Sequence, residues 1–185
     1  APFLFLLPVG ALAAGVLGWM IKQNPERMAR ITAFLHPEEH AQGEAFQLMN
    51  ALYAFVAGGW TGAGLGQSMQ KRFYLPEAHT DFIFAIIGEE LGLVGSVGVV
   101  LLFAVFLLCG IRISGRAPDV GGRLMAFGIT ILISLQAAIN VAVATGRLPT
   151  KGLPLPFISF GGTSLMATLF MTGVLLNVAR QGVRA

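Results

Sequence analysis

The chain has 185 residues, of which 55% are hydrophobic and only 11% charged, with a formal net charge of +3 at pH 7. A water-soluble domain of this length needs more charge to cover its surface, and so small a net charge calls for no nucleic-acid partner. Four runs without Asp, Glu, Lys or Arg, at 1–21, 91–111, 124–146 and 152–179, are each long enough to cross a hydrocarbon core about 30 Å thick, which predicts an all-α polytopic membrane protein.

Taken in chain order, the first expected span covers 2–21. It has no basic segment ahead of its apolar stretch and no clear cleavage site, so it does not read as a signal peptide. With no initiator Met, the chain opens in mid-hydrophobic sequence and reads as part of a longer protein.

The segment 22–80 is then expected as a large extracytoplasmic loop. His36–His40, "HPEEH", matches the inverted zinc-protease pattern, but Pro37 and the nearby Gln42-Gly43 favour a polar turn over a metal-binding helix. Leu48–Trp60 is strongly apolar but too short to span, and it contains Asn50; it reads as an interfacial or re-entrant helix. It runs into "GGWTGAGLGQS", whose glycines allow close backbone packing or an anion-binding cradle. The spacing fits neither a Walker loop nor a dinucleotide fingerprint.

At Tyr74–Phe84, "YLPEAHTDFIF", Glu77, His79 and Asp81 crowd together where the chain turns apolar. Leu75-Pro76 breaks the preceding structure, and Thr80 or Asp81 is placed to cap the next helix. A cap accounts for one carboxylate only. Glu89 and Glu90 follow one to two turns deeper, where ionisable groups are expensive and serve a site or a polar pairing. Being adjacent, the two cannot face one partner; one of them is expected to satisfy buried backbone or a cation.

The second span is expected at 82–111, with Cys109 a buried spectator thiol. The following loop carries Arg112, Arg116 and Arg123 against Asp119, and the C-terminal tail carries Arg180 and Arg184. These share a side, which the positive-inside bias places in the cytoplasm. The third span is expected at 124–146. After it, "GRLPTKGLPLPFISFGGTSL" sets Arg147 and Lys151 among Pro149, Pro154 and Pro156, before a fourth span at 158–179. Prolines hold such a loop non-helical. Two cations on an outer loop run against the orientation bias; pairing with Asp81 or Glu77 and binding of an anionic headgroup both remain open.

The stretches "YLPEAHTDFIFAIIGEELGLVGS", "GRLPTKGLPLPFISFGGTSL" and "GGWTGAGLGQSMQK" resemble signatures of the SEDS family (shape, elongation, division, sporulation), the FtsW/RodA/SpoVE proteins. The resemblance covers nearly the whole chain and corresponds to the C-terminal portion of a ten-span protein. "GEELG" and "LPTKG" look most like the division (FtsW) branch; Phe160 stands where the family commonly has Tyr.

The resemblance implies a peptidoglycan glycosyltransferase that polymerises lipid II in the bacterial cytoplasmic (inner) membrane. It implies a class B penicillin-binding protein, an FtsI-like transpeptidase, as partner, together with other divisome membrane proteins. The family's essential aspartate falls on Asp81 and its lysine on Lys151. Inverting glycosyl transfer needs a base for the sugar hydroxyl and positive charge for the departing diphosphate. Asp81, its pKa raised by partial desolvation, suits the first role, and Lys151 and Arg147 the second, with Glu77 and His79 in the substrate-binding set. A divalent cation (Mg or Mn) on Asp81 is the alternative to the base role. The rival functions are a lipid II flippase and a non-catalytic membrane scaffold of the division machinery.

Overall fold

In the computed structural model the described residues are 46–68, 81–149 and 152–184, preceded by Gly15, Gln23, Asn24, Met28, Thr32 and Phe34. The chain divides into two units, Ala1–Phe46 and Gln47–Ala185. In the first, the Met28 amide donates to the Asn24 carbonyl at 3.1 Å and Thr32 Oγ1 to the Met28 carbonyl at 2.9 Å, each reaching one helical turn back. Apart from Gly15, the expected span at 2–21 lies outside the described residues, as does His36–His40.

From Phe46 onward the described residues form four helices and their connections: α1 (Phe46–Gly58), α2 (Ile83–Arg116), α3 (Val120–Ala144) and α4 (Gly162–Arg184). Three of them, Ile83–Arg116, Val120–Ala144 and Gly162–Gly182, are long and apolar enough to cross a membrane. α1, with 13 residues, reaches only about 20 Å and falls short of the hydrocarbon thickness. Its small residues Ala51 and Ala54 are fully buried, which lets it pack against Phe82, Ala85 and Ile86 of the next element and Val143 of α3.

α2 is broken at Gly92, whose φ of 67° and ψ of −164° are non-helical. An unbroken helix would bond the Leu93 amide to the Glu89 carbonyl and the Val94 amide to the Glu90 carbonyl. Instead, the glycine-rich segment after α1 lies in the gap. Leu93 and Val94 donate to the Gly59 and Trp60 carbonyls, at 2.9 and 3.3 Å. The Glu89 and Glu90 carbonyls accept from Ala63 and Gly64, at 2.9 and 3.0 Å. Non-helical backbone at membrane depth is tolerated only where protein satisfies it, and here each freed group finds a partner.

Such close approach requires glycine. A Cβ on Gly62 would collide with the Glu90 carbonyl, and one on Gly92 would lie 2.6 Å from the Trp60 carbonyl carbon. The segment's amides at 59, 62, 63, 64 and 67 all donate within the protein, so packing, not an anion cradle, is what these glycines serve.

α2 packs most extensively on α3, and both contact α4. Gly110 gives Thr130 room to sit against α2, the small-residue contact that brings membrane helices close. Thr130, Thr145, Thr168 and Thr172 return their hydroxyls to carbonyls one turn back, so none of these four donors is left facing apolar surroundings. Asp119 caps α3 by accepting from the Gly122 amide at 2.8 Å. Ala117, Ala126, Leu175 and Val178 close that end of the bundle, where a Cβ on Gly182 would lie 2.6 Å from the Arg116 carbonyl. The α2–α3 connection and the end of α4 therefore lie together, and the start of α2 and the end of α3 lie at the other end.

Two boundaries differ from expectation. Neither Thr80 nor Asp81 is the N-cap of α2: Phe82 is, and its carbonyl accepts from Ala85 and Ile86 at 2.9 and 3.3 Å. The Asp81 carbonyl is held by the Asn140 side chain and does not start the ladder. α4 begins at Gly162 rather than near Ile158, because Leu155–Ser159 closes a separate turn. In it the Ser159 amide donates to the Leu155 carbonyl at 3.0 Å, and the Leu155 amide to Ser159 Oγ at 2.7 Å. Cys109 is exposed, not buried, on the outer surface of α2.

Candidate functional site

At the end of the bundle away from the arginine-bearing α2–α3 connection, three pieces of chain meet: Asp81 before α2, the last turns of α3, and the loop after α3. The loop departs through a helix stop of two bonds. The Gly146 amide donates to the Val143 carbonyl at 3.0 Å and the Arg147 amide to the Ala142 carbonyl at 2.8 Å, with Gly146 left-handed at φ 69°. This is a Schellman motif, and it fixes the direction in which Arg147 leaves the helix. Arg147 is exposed and lines an apolar groove of about 330 Å³ between α2 and α3, with Phe103, Leu107, Ala137 and Val141.

The loop returns to the bundle at Gly152. A Cβ placed there would stand 3.1 Å from Asp81 Oδ2, so the loop backbone passes close beside the carboxylate. From Leu153 on, α3 holds the loop by its side chains. Asn140 Nδ2 donates to the Leu153 carbonyl at 2.6 Å and to the Asp81 carbonyl at 2.9 Å, and Gln136 Nε2 donates to the Pro154 carbonyl at 2.8 Å. Pro154 and Pro156 offer no amide to pair, so carbonyls are what this loop presents for anchoring. Leu155 is buried against Phe84, Ala137 and Ala144. Phe157 is the one left-handed non-glycine among the described residues, at φ 66°, a geometry costing a bulky residue on the order of 1–3 kcal/mol. Its ring meets Phe106 edge-on at 6.0 Å between centroids.

Of the expected site residues, Asp81 is half-buried against this loop and Arg147 lies at the loop's exit from α3. Lys151, Glu77 and His79 lie outside the described residues; in sequence Lys151 directly precedes Gly152, whose backbone passes beside Asp81. Glu89 and Glu90 point in different directions, as adjacent helical residues must. Glu89 is buried and accepts from Ser68 Oγ, while Glu90 Oε1 is buried with no hydrogen-bond partner among the described residues. Among the described residues no three His, Cys, Asp or Glu side chains converge. A divalent cation on Asp81 would therefore take its further ligands from carbonyl oxygens or from beyond the described residues.

Sequence reasoning passed over Asn140 and Gln136. They are the only two side-chain amides in an uncharged span and stand one turn apart, a pattern visible without a structure.

A family model described as "Cell cycle protein" (FtsW/RodA/SpoVE) matches residues 2–183. Among curated relatives, the chain is 46% identical over 176 residues to the "Probable peptidoglycan glycosyltransferase FtsW" of Trichlorobacter lovleyi, covering 95% of this chain and 46% of the relative. It is 49% identical over 180 residues to the "Stage V sporulation protein E" of Bacillus subtilis, covering 97% of this chain and 48% of that one. The chain thus spans about half the length of the curated relatives it matches. Among solved structures, it is similar to a chain of a peptidoglycan synthase complex described as coordinating polymerization and crosslinking. There the TM-score is 0.74 at 27% identity, over 97% of this chain and 49% of that one. It is also similar to a mutant of the rod shape determining protein RodA of Thermus thermophilus, with a TM-score of 0.56 at 35% identity, over 69% of this chain and 39% of that one.

Proposed function

This chain belongs to the FtsW/RodA/SpoVE family of cell cycle proteins, and on that premise we propose that it is the C-terminal part of a ten-helix peptidoglycan glycosyltransferase of cell division. It polymerises lipid II into glycan strands, inverting the sugar centre and releasing undecaprenyl diphosphate. The observation that carries this reading is the seating of the loop after α3 beside Asp81, with Gly152 next to the carboxylate and Asn140 bonded to both segments.

In the transfer, the Asp81 carboxylate takes the proton of the acceptor 4-hydroxyl as its oxygen bonds to the donor's anomeric carbon. The bond from that carbon to the diphosphate breaks on the opposite face. A positioned base contributes on the order of 10²–10⁴-fold. Lys151 and Arg147 stabilise the charge developing on the diphosphate, and Glu77 and His79 bind substrate from the same outer segment as Asp81. A cation on so exposed a loop acts strongly only where bound substrate excludes water.

Arg112, Arg116, Arg123 and Arg180 belong to the end of the bundle opposite Asp81, which supports a site on the extracytoplasmic face of the bacterial inner membrane. The likeness to a chain of a peptidoglycan synthase complex that coordinates polymerization and crosslinking supports a crosslinking partner, which on this reading is a class B penicillin-binding protein acting with other divisome proteins.

The test is glycan synthesis from lipid II by the purified full-length protein with its transpeptidase partner. Asp81→Asn, which keeps the shape and removes the base, is expected to lower the rate at least about 100-fold with normal folding. Near-normal synthesis by that variant would remove Asp81 from the chemistry, and lipid II movement without any glycan would favour a flippase.

A further inference from the structure

Asn140 is 1% exposed, in the last turns of a membrane-spanning helix. Its amide nitrogen has two hydrogens, and each goes to a different backbone carbonyl: that of Asp81, from the segment before α2, and that of Leu153, from the loop after α3. These acceptors are far apart in sequence and join no common ladder. The side-chain oxygen, in contrast, is buried without a partner among the described residues. An apolar residue of similar volume would avoid that unsatisfied acceptor, so packing alone is a poor reason for an amide here.

We propose that Asn140 is a positioning residue for glycosyl transfer: its Nδ2 group fixes the Asp81 backbone and the loop at Leu153 in one register, so that the base and the loop after α3 address the same substrate. This rests on the glycosyltransferase reading above. The geometry is that of a bracket. Asp81 precedes the first helical residue of α2 by two positions, so no helical hydrogen bond constrains its carbonyl; the Asn140 amide does. The loop is anchored at Leu153 by the same nitrogen and at Pro154 by Gln136 one turn back, which sets Gly152 against the carboxylate. Misplacing reacting groups by about 1 Å costs on the order of 100-fold in rate, whereas substrate held by many other contacts still binds. The loss belongs in kcat rather than in KM.

The experiment compares Asn140→Leu with wild type in the full-length protein bound to its transpeptidase partner. It measures kcat and KM for lipid II polymerisation, thermal unfolding in detergent, and hydrogen exchange across 152–160. The expected result is a kcat at least about 30-fold lower with KM within about threefold and faster exchange in that segment, the folded fraction being equal. Gln136→Leu, which frees only Pro154, should lower kcat by less. A kcat per folded molecule within twofold of wild type overturns the proposal.

If Asn140→Leu yields no folded protein, Asn140→Gln decides, since it keeps the amide but displaces it by one methylene. Reduced kcat in the folded Gln variant supports positioning, and unchanged kcat overturns it. Failure of the wild-type complex to polymerise lipid II would instead overturn the functional reading itself.

Discussion

Two stretches of non-helical backbone sit among these apolar helices, and they are held in different ways. At the break in α2, backbone is sewn to backbone: four amide–carbonyl bonds join 59–64 to 89–94, and glycines let the chains touch. At the loop after α3, backbone is held by side chains: Asn140 and Gln136 supply single donors to carbonyls of a proline-bearing segment. The first arrangement depends on the absence of side chains and the second on the identity of two. A seam of the first kind fixes architecture. A bracket of the second kind sets a few atoms beside Asp81 and can be altered without taking the fold apart.

The sharpest way to break this comparison is Gly62→Ala. Gly62 has φ 82°, and a methyl group there meets the Glu90 carbonyl, which is backbone and cannot turn aside. Left-handed strain and the clash together should cost at least about 3 kcal/mol, seen as a large drop in the thermal unfolding midpoint and in folded yield. A variant as stable as wild type would mean that the seam is not structural.

Gly152→Ala asks the same of the bracket. The added methyl lies 3.1 Å from Asp81 Oδ2, so the carboxylate must shift by only a few tenths of an ångström. Stability should change by less than about 1 kcal/mol while polymerisation falls about tenfold, since a small displacement of a reacting group outweighs its packing cost. A variant that loses stability and activity in step would erase the distinction between seam and bracket.

Gly128→Ala is the control, expected to have the smallest effect. Nothing stands within 4 Å of a Cβ there, and Gly128 lies inside α3, so alanine should stabilise by up to about 1 kcal/mol and leave activity unchanged. A cost comparable to that of Gly62→Ala would reveal a contact on this face made by chain beyond these residues.

How much of this was legible in the sequence follows the same division. The apolar runs announced the three long helices, because length and hydropathy alone decide what can cross a membrane. Asp81 stood out because a carboxylate costs so much beside such a helix. The density of Gly58, Gly59, Gly62, Gly64 and Gly66 pointed to close packing, but not to the partner. The break at Gly92 depends on a segment distant in sequence, and "EELGLVG" alone reads as unbroken helix. The cap assigned to Thr80 or Asp81 was displaced to Phe82 for a similar reason: a tertiary donor, Asn140, holds the Asp81 carbonyl. Asn140 and Gln136 carry no charge to mark them, and their partners are backbone carbonyls, which every residue has.

The broken helix also bears on the order in which this protein is made. The glycine segment leaves the ribosome before α2 does, yet its Ala63 and Gly64 amides and its Gly59 and Trp60 carbonyls are completed only by α2. On entering the bilayer, α2 has its own i→i−4 bonds available at Glu89 and Glu90, and in lipid it has no other means of satisfying those carbonyls. It is therefore expected to enter as an unbroken rod and to give up two internal bonds when four arrive from the glycine segment. On that expectation maturation at this point is an exchange of partners, separate from insertion. A Gly62→Ala chain that still inserts with normal topology but never gains protease resistance would display that order, whereas one that fails to insert would deny it.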